Sequence, residues 1–193
     1  MAEAPAGVVT APDETLVELA RTGDHPAREE LFRRHFEVAY RVAHRLLGRE
    51  QDALDAVQDG FLKAVRHLGD FDGRSGFRTW LLRIVTNAAL DAGRRRRRRP
   101  AVRLADLDGD AAEVAVQDDP AQQLRRDDLR RILHAALARL SPTTRTTFVL
   151  FAEAGLSYKE IADCQGLPIG TVMSRLHYAR QKLQSYLEGI DGL

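Results

Sequence analysis

The stretch GLSYKEIADCQGLPIGTVMSRLHYAR, residues 155–180, predicts two helices joined by a tight turn. Ser157 and Glu160 have the spacing of a capping box, in which the hydroxyl and the carboxylate each bind a backbone amide at the start of a helix. Gly166 can adopt the left-handed conformation that ends a helix, and Pro168 suits the first turn of the next one. The stretch therefore predicts a short helix, a short turn and a second, longer helix.

The second of these helices has one apolar face and one polar face. Its apolar stripe consists of Ile169, Val172, Leu176, Ala179 and Leu183. The polar face carries Thr171, Ser174, Arg175, Tyr178 and Lys182. Arginine can donate two hydrogen bonds to guanine, serine and threonine can bind bases or phosphates, and lysine neutralises phosphate. The caps, the turn and the basic second helix together favour a DNA-binding helix-turn-helix at residues 158–183 over an amphipathic helix with a solvated face.

Composition limits the class of protein. The 193 residues, 44% of them hydrophobic, are enough for two small domains. The single cysteine, Cys164, excludes a disulfide framework and a thiolate metal cluster within the chain. No apolar run approaches the roughly 20 residues that span a bilayer, and residues 1–12 lack a signal-peptide pattern. We therefore expect a cytoplasmic protein with a short disordered lead at residues 1–12.

Helical periodicity runs through the rest of the chain, and no alternating strand pattern of useful length occurs. The expected fold is all-α, with two small helical domains joined by an acidic flexible linker. The first domain, at residues 13–99, has predicted helices at Glu14–Arg21, Ala27–Leu47, Asp52–Leu68 and Phe77–Arg97. The second, at residues 123–187, has predicted helices at Gln123–Leu140, Pro142–Ala154, Tyr158–Cys164 and Ile169–Leu187, followed by a tail at 188–193.

Charged residues are distributed unevenly, although 29 Lys and Arg and 28 Asp and Glu give a net charge of only +1. Residues 94–99 are all arginine, whereas residues 105–119 carry acidic side chains and no basic one. The arginine run favours a polyanion such as DNA, with a solvated basic helix end as the alternative. The acidic segment lacks a sustained apolar stripe and has Pro and Gly at its joints, so residues 100–122 are predicted to be a linker.

The predicted helix at Asp52–Leu68 has a core stripe and an acid-rich outward face. The stripe consists of Leu54, Val57, Phe61, Ala64 or Val65, and Leu68. An acid-rich outward face is by itself typical of a solvated surface, so charge alone assigns it no function.

The loop at residues 69–76, GDFDGRSG, and the helix after it interleave aromatic and basic residues. Single-stranded nucleic acid is held by stacking of bases on aromatic rings and by Arg or Lys at the backbone. Phe77 and Trp80 also repeat at helical spacing, and for them we favour a core position. Arg83 and Asn87 are the better candidates for contact with nucleic acid.

Several blocks of this sequence, in this order, resemble bacterial sigma factors of the extracytoplasmic-function group. They are QDGFLKAVRHL at 58–68, FRTWLLRIVTNAALD at 77–91 with its trailing arginines, the acidic linker, and the stretch at 155–180. The resemblance covers residues 13–187. It implies a two-domain subunit that binds core RNA polymerase and directs it to promoter DNA. It implies no catalytic residue, cofactor or metal of its own.

The resemblance also assigns roles to individual positions. The residues expected to dock on the clamp of the largest polymerase subunit are Asp55, Gln58, Asp59 and Phe61. Those expected to melt and capture the minus-ten element are Phe71, Arg74, Arg78, Thr79, Trp80, Arg83 and Asn87. Those expected to read the minus-thirty-five element as duplex are Thr171, Ser174, Arg175, Tyr178 and Lys182. An anti-sigma protein is a further partner that the resemblance suggests.

Some interpretations stay open on the sequence alone. The acidic linker either imitates nucleic acid inside the polymerase or is simply a charged disordered segment. Met173 stands where many members of the family carry Arg or Lys, so no promoter sequence is carried over. A stand-alone helix-turn-helix regulator is the alternative function, because such motifs occur in many contexts. An enzyme acting on nucleic acid is disfavoured, because the chain has no carboxylate cluster, metal triad or phosphate-binding loop.

Overall fold

The computed structural model describes residues 10–98 and 131–191, where all regular secondary structure is helical. The first domain contains α1 (Asp13–Arg21), α2 (His25–Leu47), α3 (Glu50–His67), a 3-10 turn (Leu68–Asp70) and α4 (Phe77–Arg98). The second contains α5, described over 131–138, α6 (Pro142–Ala152), α7 (Tyr158–Gln165) and α8 (Ile169–Asp191). The all-α prediction is confirmed. The predicted linker at 100–122 lies outside the described residues, as does nearly all of the predicted lead.

Helix ends follow the local signals in the sequence. Ser157 and Glu160 form both halves of a capping box at the start of α7, which ends at Gly166 with φ of 64°. The left-handed Gly48, with φ of 76°, ends α2 in the same way. Pro168 lies one residue before α8, and its carbonyl accepts a hydrogen bond from the Thr171 amide at 2.9 Å. Pro168 therefore precedes the helix instead of forming its first turn.

The face of α3 that enters the core agrees only in part with the predicted one. Its buried residues are Ala53, Ala56, Val57, Gly60 and Ala64. A Cβ at Gly60 would lie 2.8 Å from Val85 Cγ2 and 3.0 Å from Val85 Cα, so the missing side chain lets α3 approach α4 closely. The prediction that Leu54 lies in the core was wrong, since it is 36% exposed. Of the alternatives Ala64 and Val65, Ala64 is the buried one, at 0% exposed, and Val65 is 37% exposed. Small residues occupy the close contact, and larger apolar ones turn outward.

The second domain packs against the first, and one hydrophobic core connects them. This core includes Leu31 and Leu81 from the first domain and Leu150, Ile161 and Val172 from the second. At the edge of the interface, Arg45 Nε on α2 donates to Glu153 Oε1 at 2.7 Å. Both side chains are about one-quarter exposed or less, at 25% and 19%. The two domains are thus held together by apolar burial and by a shielded ion pair.

The helix-turn-helix has the predicted form, with one correction to its apolar stripe. Val172, Leu176, Ala179 and Leu183 are buried, as expected. Ile169 is 47% exposed, contrary to the prediction. It is the first residue of α8, one turn before the helix reaches the core, so no neighbouring helix covers its side chain.

Candidate nucleic-acid and protein interfaces

An open apolar groove of about 440 Å³ lies between α2 and α3. It is lined by Phe32, Phe36, Leu54, Val57, Gln58, Phe61, Leu62 and Val65. Phe61 is half-buried there, with its ring centroid 4.9 Å from that of Phe32. Leu62 is 51% exposed and Phe36 is 44% exposed. Neighbouring apolar side chains at this level of exposure are typical of a surface that another protein covers.

The four residues expected to dock on polymerase lie at or beside this groove. Gln58 and Phe61 line it, and Asp55 and Asp59 are exposed on the same helix. The carboxylate of Asp59 lies 3.9 Å from Arg95 on α4. All four lie on α3, as the sequence predicts, but the groove itself was not predicted. The groove could have been predicted from the spacing of small residues along α3. Small residues mark the face that packs closely against the rest of the domain, so the larger apolar residues of the helix must lie outside it.

The basic end of α4 is partly neutralised within the first domain. Arg96 forms a salt bridge with Asp52 on α3, and both side chains are 31% exposed. Arg94 pairs with Asp91 one turn earlier in α4. Arg95, Arg97 and Arg98 are exposed. The arginine run therefore contributes both an ion pair that ties α4 to α3 and cationic side chains that face solvent.

The residues expected to capture the minus-ten element fall into two groups. Exposed on the loop and on α4 are Arg74, Arg78, Arg83 and Asn87. Phe71 and Thr79 are buried, at 7% and 3% exposed, and Trp80 is half-buried. The Trp80 ring lies 5.2 Å from the Phe71 ring and 5.6 Å from the Phe77 ring, centroid to centroid. The core position favoured for Phe77 is confirmed, at 4% exposed.

The first turn of α4 contacts the second domain directly. The guanidinium of Arg78 donates to the carbonyl oxygen of Ala154, just after α6. Thr79 Oγ1 donates to Glu160 Oε1 at 3.3 Å, in the first turn of α7. Hydrogen bonds from Ser157 lower the pKa of Glu160, and the bond from Thr79 and the charge of Arg78 lower it further. Two of the expected minus-ten residues are therefore engaged by the helix-turn-helix domain in this arrangement.

The residues expected to read the minus-thirty-five element lie along α8. Ser174, Tyr178 and Lys182 are exposed, whereas Thr171 and Arg175 are half-buried at one flank of the helix. Ser174 Oγ donates to the Thr171 carbonyl at 3.0 Å. Lys182 Nζ lies 5.8 Å from the centroid of the Tyr178 ring.

The polar face of α8 also includes residues outside the predicted set. Met173 is 51% exposed, and His177, one turn later, is exposed as well. On the sequence alone Met173 is only a departure from the family pattern, because the predicted contact residues were chosen by hydrogen-bonding chemistry. The position of Met173 and His177 in the helix, opposite the buried stripe, was enough to predict that they are exposed.

Two family models match this chain. Sigma-70 region 2 matches residues 31–99, and Sigma-70 region 4 matches residues 130–183. The chain is 34% identical over 181 residues to the RNA polymerase sigma-H factor of Pseudomonas aeruginosa, covering 91% of this chain and 94% of that protein. It is 32% identical over 182 residues to the ECF RNA polymerase sigma-E factor of Haemophilus influenzae, covering 91% and 95%. The chain belongs to the ECF sigma factors. The predicted family is confirmed.

A longer relative and two solved structures agree with this assignment. This sigma factor is 40% identical over 170 residues to ECF RNA polymerase sigma factor SigE of Mycolicibacterium smegmatis, of which it spans 65%. CnrH, solved in complex with the cytosolic domain of CnrY, matches with a TM-score of 0.71 at 30% identity, over 92% of this chain and 97% of CnrH. RpoE of Bartonella quintana, solved with the anti-sigma factor NepR, matches with a TM-score of 0.62 at 29% identity, over 80% and 92%.

Other kinds of site are not found in the described parts of this sigma factor. Residues 10–98 and 131–191 contain no group of three or more His, Cys, Asp or Glu side chains that could hold a metal ion. None of the helices described is long and apolar enough to cross a membrane. Burial raises the pKa of the Cys164 thiol to about 12, so it stays protonated and packs as a small apolar residue.

Proposed function

We propose that this sigma factor binds core RNA polymerase, directs it to promoters in the cytoplasm, and contacts two promoter elements with its two domains. The observation that carries the proposal is that one chain combines matches to regions 2 and 4 with an exposed face on α3, on α4 and on α8. The polymerase supplies the catalysis, and this chain supplies recognition. The comparisons give no support to a stand-alone regulator, which would not need a region 2 domain.

The groove beside α3 is the proposed docking site for polymerase. An amphipathic helix fits an apolar groove by placing one stripe of side chains in it. Asp55 and Asp59 add negative charge beside the groove, which favours a partner whose helix carries basic side chains outside its apolar stripe. In this proposal Leu54 and Leu62 join Gln58 and Phe61 as docking residues, because all four line the same groove.

The loop and α4 are the proposed site for the melted minus-ten element. Arg74, Arg83 and Asn87 are exposed and can contact the phosphate backbone or an unstacked base. Arg78 is exposed but donates to Ala154 O, and the buried Thr79 donates to Glu160, so separation of the domains would free both groups for DNA. The role of Phe71 is revised: because it is buried against Trp80, it supports that ring from inside and does not itself stack on a base.

The second domain is the proposed reader of the minus-thirty-five element. Ser174, Tyr178 and Lys182 are exposed on α8, and Thr171 and Arg175 reach its flank. A recognition helix in the major groove combines such phosphate and base contacts. Both solved relatives are in complex with a protein partner, and NepR is named an anti-sigma factor. We extend this to the present chain as a proposed anti-sigma partner.

Transcription from a promoter library with bacterial core polymerase and this chain tests the function. The expected result is initiation from a subset of promoters that core polymerase alone does not use. Leu62→Glu, which places a charge in the groove, should abolish binding to core. Leu19→Glu is the matched control, because Leu19 is 36% exposed on α1 and does not line the groove. Sequence-specific duplex binding without any effect on polymerase would instead support the stand-alone regulator.

A further inference from the structure

The exposed face of α8, opposite its buried stripe, contains an apolar side chain that could help to select the promoter sequence. Residues four positions apart lie on the same face of a helix. Met173 and His177 are such a pair, and both are exposed next to Ser174 and Tyr178. Arg175 is half-buried at the flank. The centre of the exposed face in the first turns of α8 therefore contains an apolar side chain between polar ones.

An exposed methionine in this place is not explained by packing within the chain. The apolar contacts of α8 with the core are made by Val172 and Leu176, which are 0% and 1% exposed. Met173 is 51% exposed, so half of its side chain contacts no part of the described protein. Its hydrophobic surface stays in water unless a partner covers it, and α8 is the helix proposed to enter the major groove.

The chemistry of the groove selects a partner for an apolar side chain. Thymine presents its C5-methyl group in the major groove, whereas cytosine, guanine and adenine present hydrogen-bonding groups there without a methyl. Methionine is flexible and polarisable, so it can adapt to a methyl group without strict geometry. We infer that Met173 contacts a thymine methyl and favours a T·A over a C·G pair at one position of the minus-thirty-five element. This inference rests on the proposed function of α8.

Replacing thymine by deoxyuridine removes the methyl group and leaves base pairing unchanged. In a promoter selected from the library, each thymine of the upstream element is replaced singly, and binding by the holoenzyme containing this chain is measured. For the unmodified chain, one replacement should weaken binding by roughly two- to fourfold, as expected for the loss of one buried methyl contact. Met173→Ala should remove the sensitivity to that one replacement. Met173→Arg should shift the preferred base there to guanine, which arginine binds through two hydrogen bonds.

A matched substitution controls for general effects of truncating α8. Leu187→Ala removes an apolar side chain of similar exposure, 45%, from the same helix. It lies about 21 Å further along the helix axis, beyond the reach of the groove. It should leave the deoxyuridine effect intact.

Three results would overturn the inference while specific initiation persists. They are an equal response of the unmodified and Met173→Ala chains to every replacement, no response at any position, and a selected element that contains no thymine. Absence of specific initiation by the unmodified holoenzyme would contradict the proposed function instead.

Discussion

The two proposed DNA-binding helices are in different states in the same structure. At the start of α4, Arg78 and Thr79 contact the second domain, and α3 packs closely along the helix. The outward face of α8 is exposed, and a Cβ at Gly170 in its first turn would meet no atom within 4 Å. One surface is held by contacts within the chain, whereas the other is open.

The difference matches the two forms of DNA that the helices are proposed to bind. Duplex DNA can approach a preformed open helix, and α8 needs no rearrangement to receive it. A melted strand must reach the loop and the first turn of α4, where Arg78 and Thr79 are engaged by α7 and its preceding loop. Separation of the domains breaks these two hydrogen bonds, so we expect the proposed capture of the minus-ten element to be linked to domain opening.

The largest expected effect comes from adding a methyl group to α3. Gly60→Ala places a Cβ 2.8 Å from Val85 Cγ2 and 3.0 Å from its Cα. Overpacking costs about 1–3 kcal/mol. Because the added Cβ meets the Val85 backbone as well as its side chain, we expect about 2–3 kcal/mol here, against a gain of up to about 1 kcal/mol in helix propensity. We expect a net loss of about 1–2 kcal/mol in the free energy of unfolding, measured by urea denaturation.

Gly170→Ala is the matched control on the open helix. It meets no neighbouring atom, so only helix propensity changes, and a gain of roughly 0.5–1 kcal/mol is expected. If the two substitutions change the free energy of unfolding equally, α3 and α4 are not packed more closely at Gly60 than α8 is at Gly170.

The second-largest effect is expected from breaking the ion pair between the domains. Arg45 and Glu153 form a partly shielded, charge-assisted hydrogen bond across the interface. A double-mutant cycle with alanine should give a coupling energy of about 0.5–1.5 kcal/mol in favour of the closed arrangement. Interdomain fluorescence energy transfer on the full chain measures this equilibrium.

The control for that cycle is an ion pair within one helix. Arg41 and Glu37 lie on α2, with side chains 43% and 83% exposed. Their coupling should be only a few tenths of a kcal/mol and should leave the interdomain distance unchanged. A similar coupling energy for both pairs would show that the Arg45–Glu153 pair does not stabilise the closed arrangement.

A third prediction separates closure from DNA binding at two arginines of α4. Arg78→Ala should both open the domains and lower promoter affinity, because Arg78 donates to Ala154 O in the closed arrangement. Arg83→Ala should lower promoter affinity alone. If each residue contacts a phosphate, each substitution reduces the salt slope of holoenzyme binding by about one. If Arg78→Ala and Arg83→Ala open the domains equally, the proposed role of Arg78 in closure is wrong.

The smallest effect is a pH dependence of closure. The pKa of Glu160 is held below its ordinary value of 4.5, first by Ser157 and then by Thr79 and Arg78. A lowered pKa stabilises the closed arrangement above pH 4.5, and this contribution is lost as the pH falls through the lowered value. Ser157 lies in the same turn as Glu160, so its hydrogen bonds do not depend on the domain arrangement. Opening removes the pKa-lowering effects of Thr79 and Arg78 and also part of the burial that raises the pKa, so the net effect is at most a few tenths of a kcal/mol.

Interdomain energy transfer, recorded from neutral pH to below 4.5, checks this prediction. The closed fraction should fall more in the unmodified chain than in Thr79→Val, which keeps the shape of the side chain but cannot donate to Glu160. Identical pH profiles would show that the titration of Glu160 is independent of closure.

The positions of the helices were predictable because their signals are local. Ser157, Glu160 and Gly166 act within a few residues, and the structure shows all three in the expected conformations. The site was less predictable. Arg74, Arg83 and Asn87 are exposed, as a contact surface requires. Phe71 is buried and its ring contacts those of Phe77 and Trp80, whereas the buried Thr79 donates to Glu160, 81 residues further along the chain. The sequence marks Met173 as a departure from the family pattern, but only the structure shows that it is 51% exposed on the polar face of α8.

The sequence by itself determined the all-helical fold, the helix-turn-helix and the family of this protein. Capping, periodicity and motif order depend on residues that are near each other in the sequence. They can therefore be read from the sequence before the chain folds. Only the tertiary structure decided which face of α3 enters the core and which of the proposed promoter-contact residues form hydrogen bonds with the second domain. Arg45 and Glu153 are 108 residues apart in the chain, so no local pattern relates them. Contacts at that separation depend on how whole helices pack, and small residues such as Gly60 set that packing.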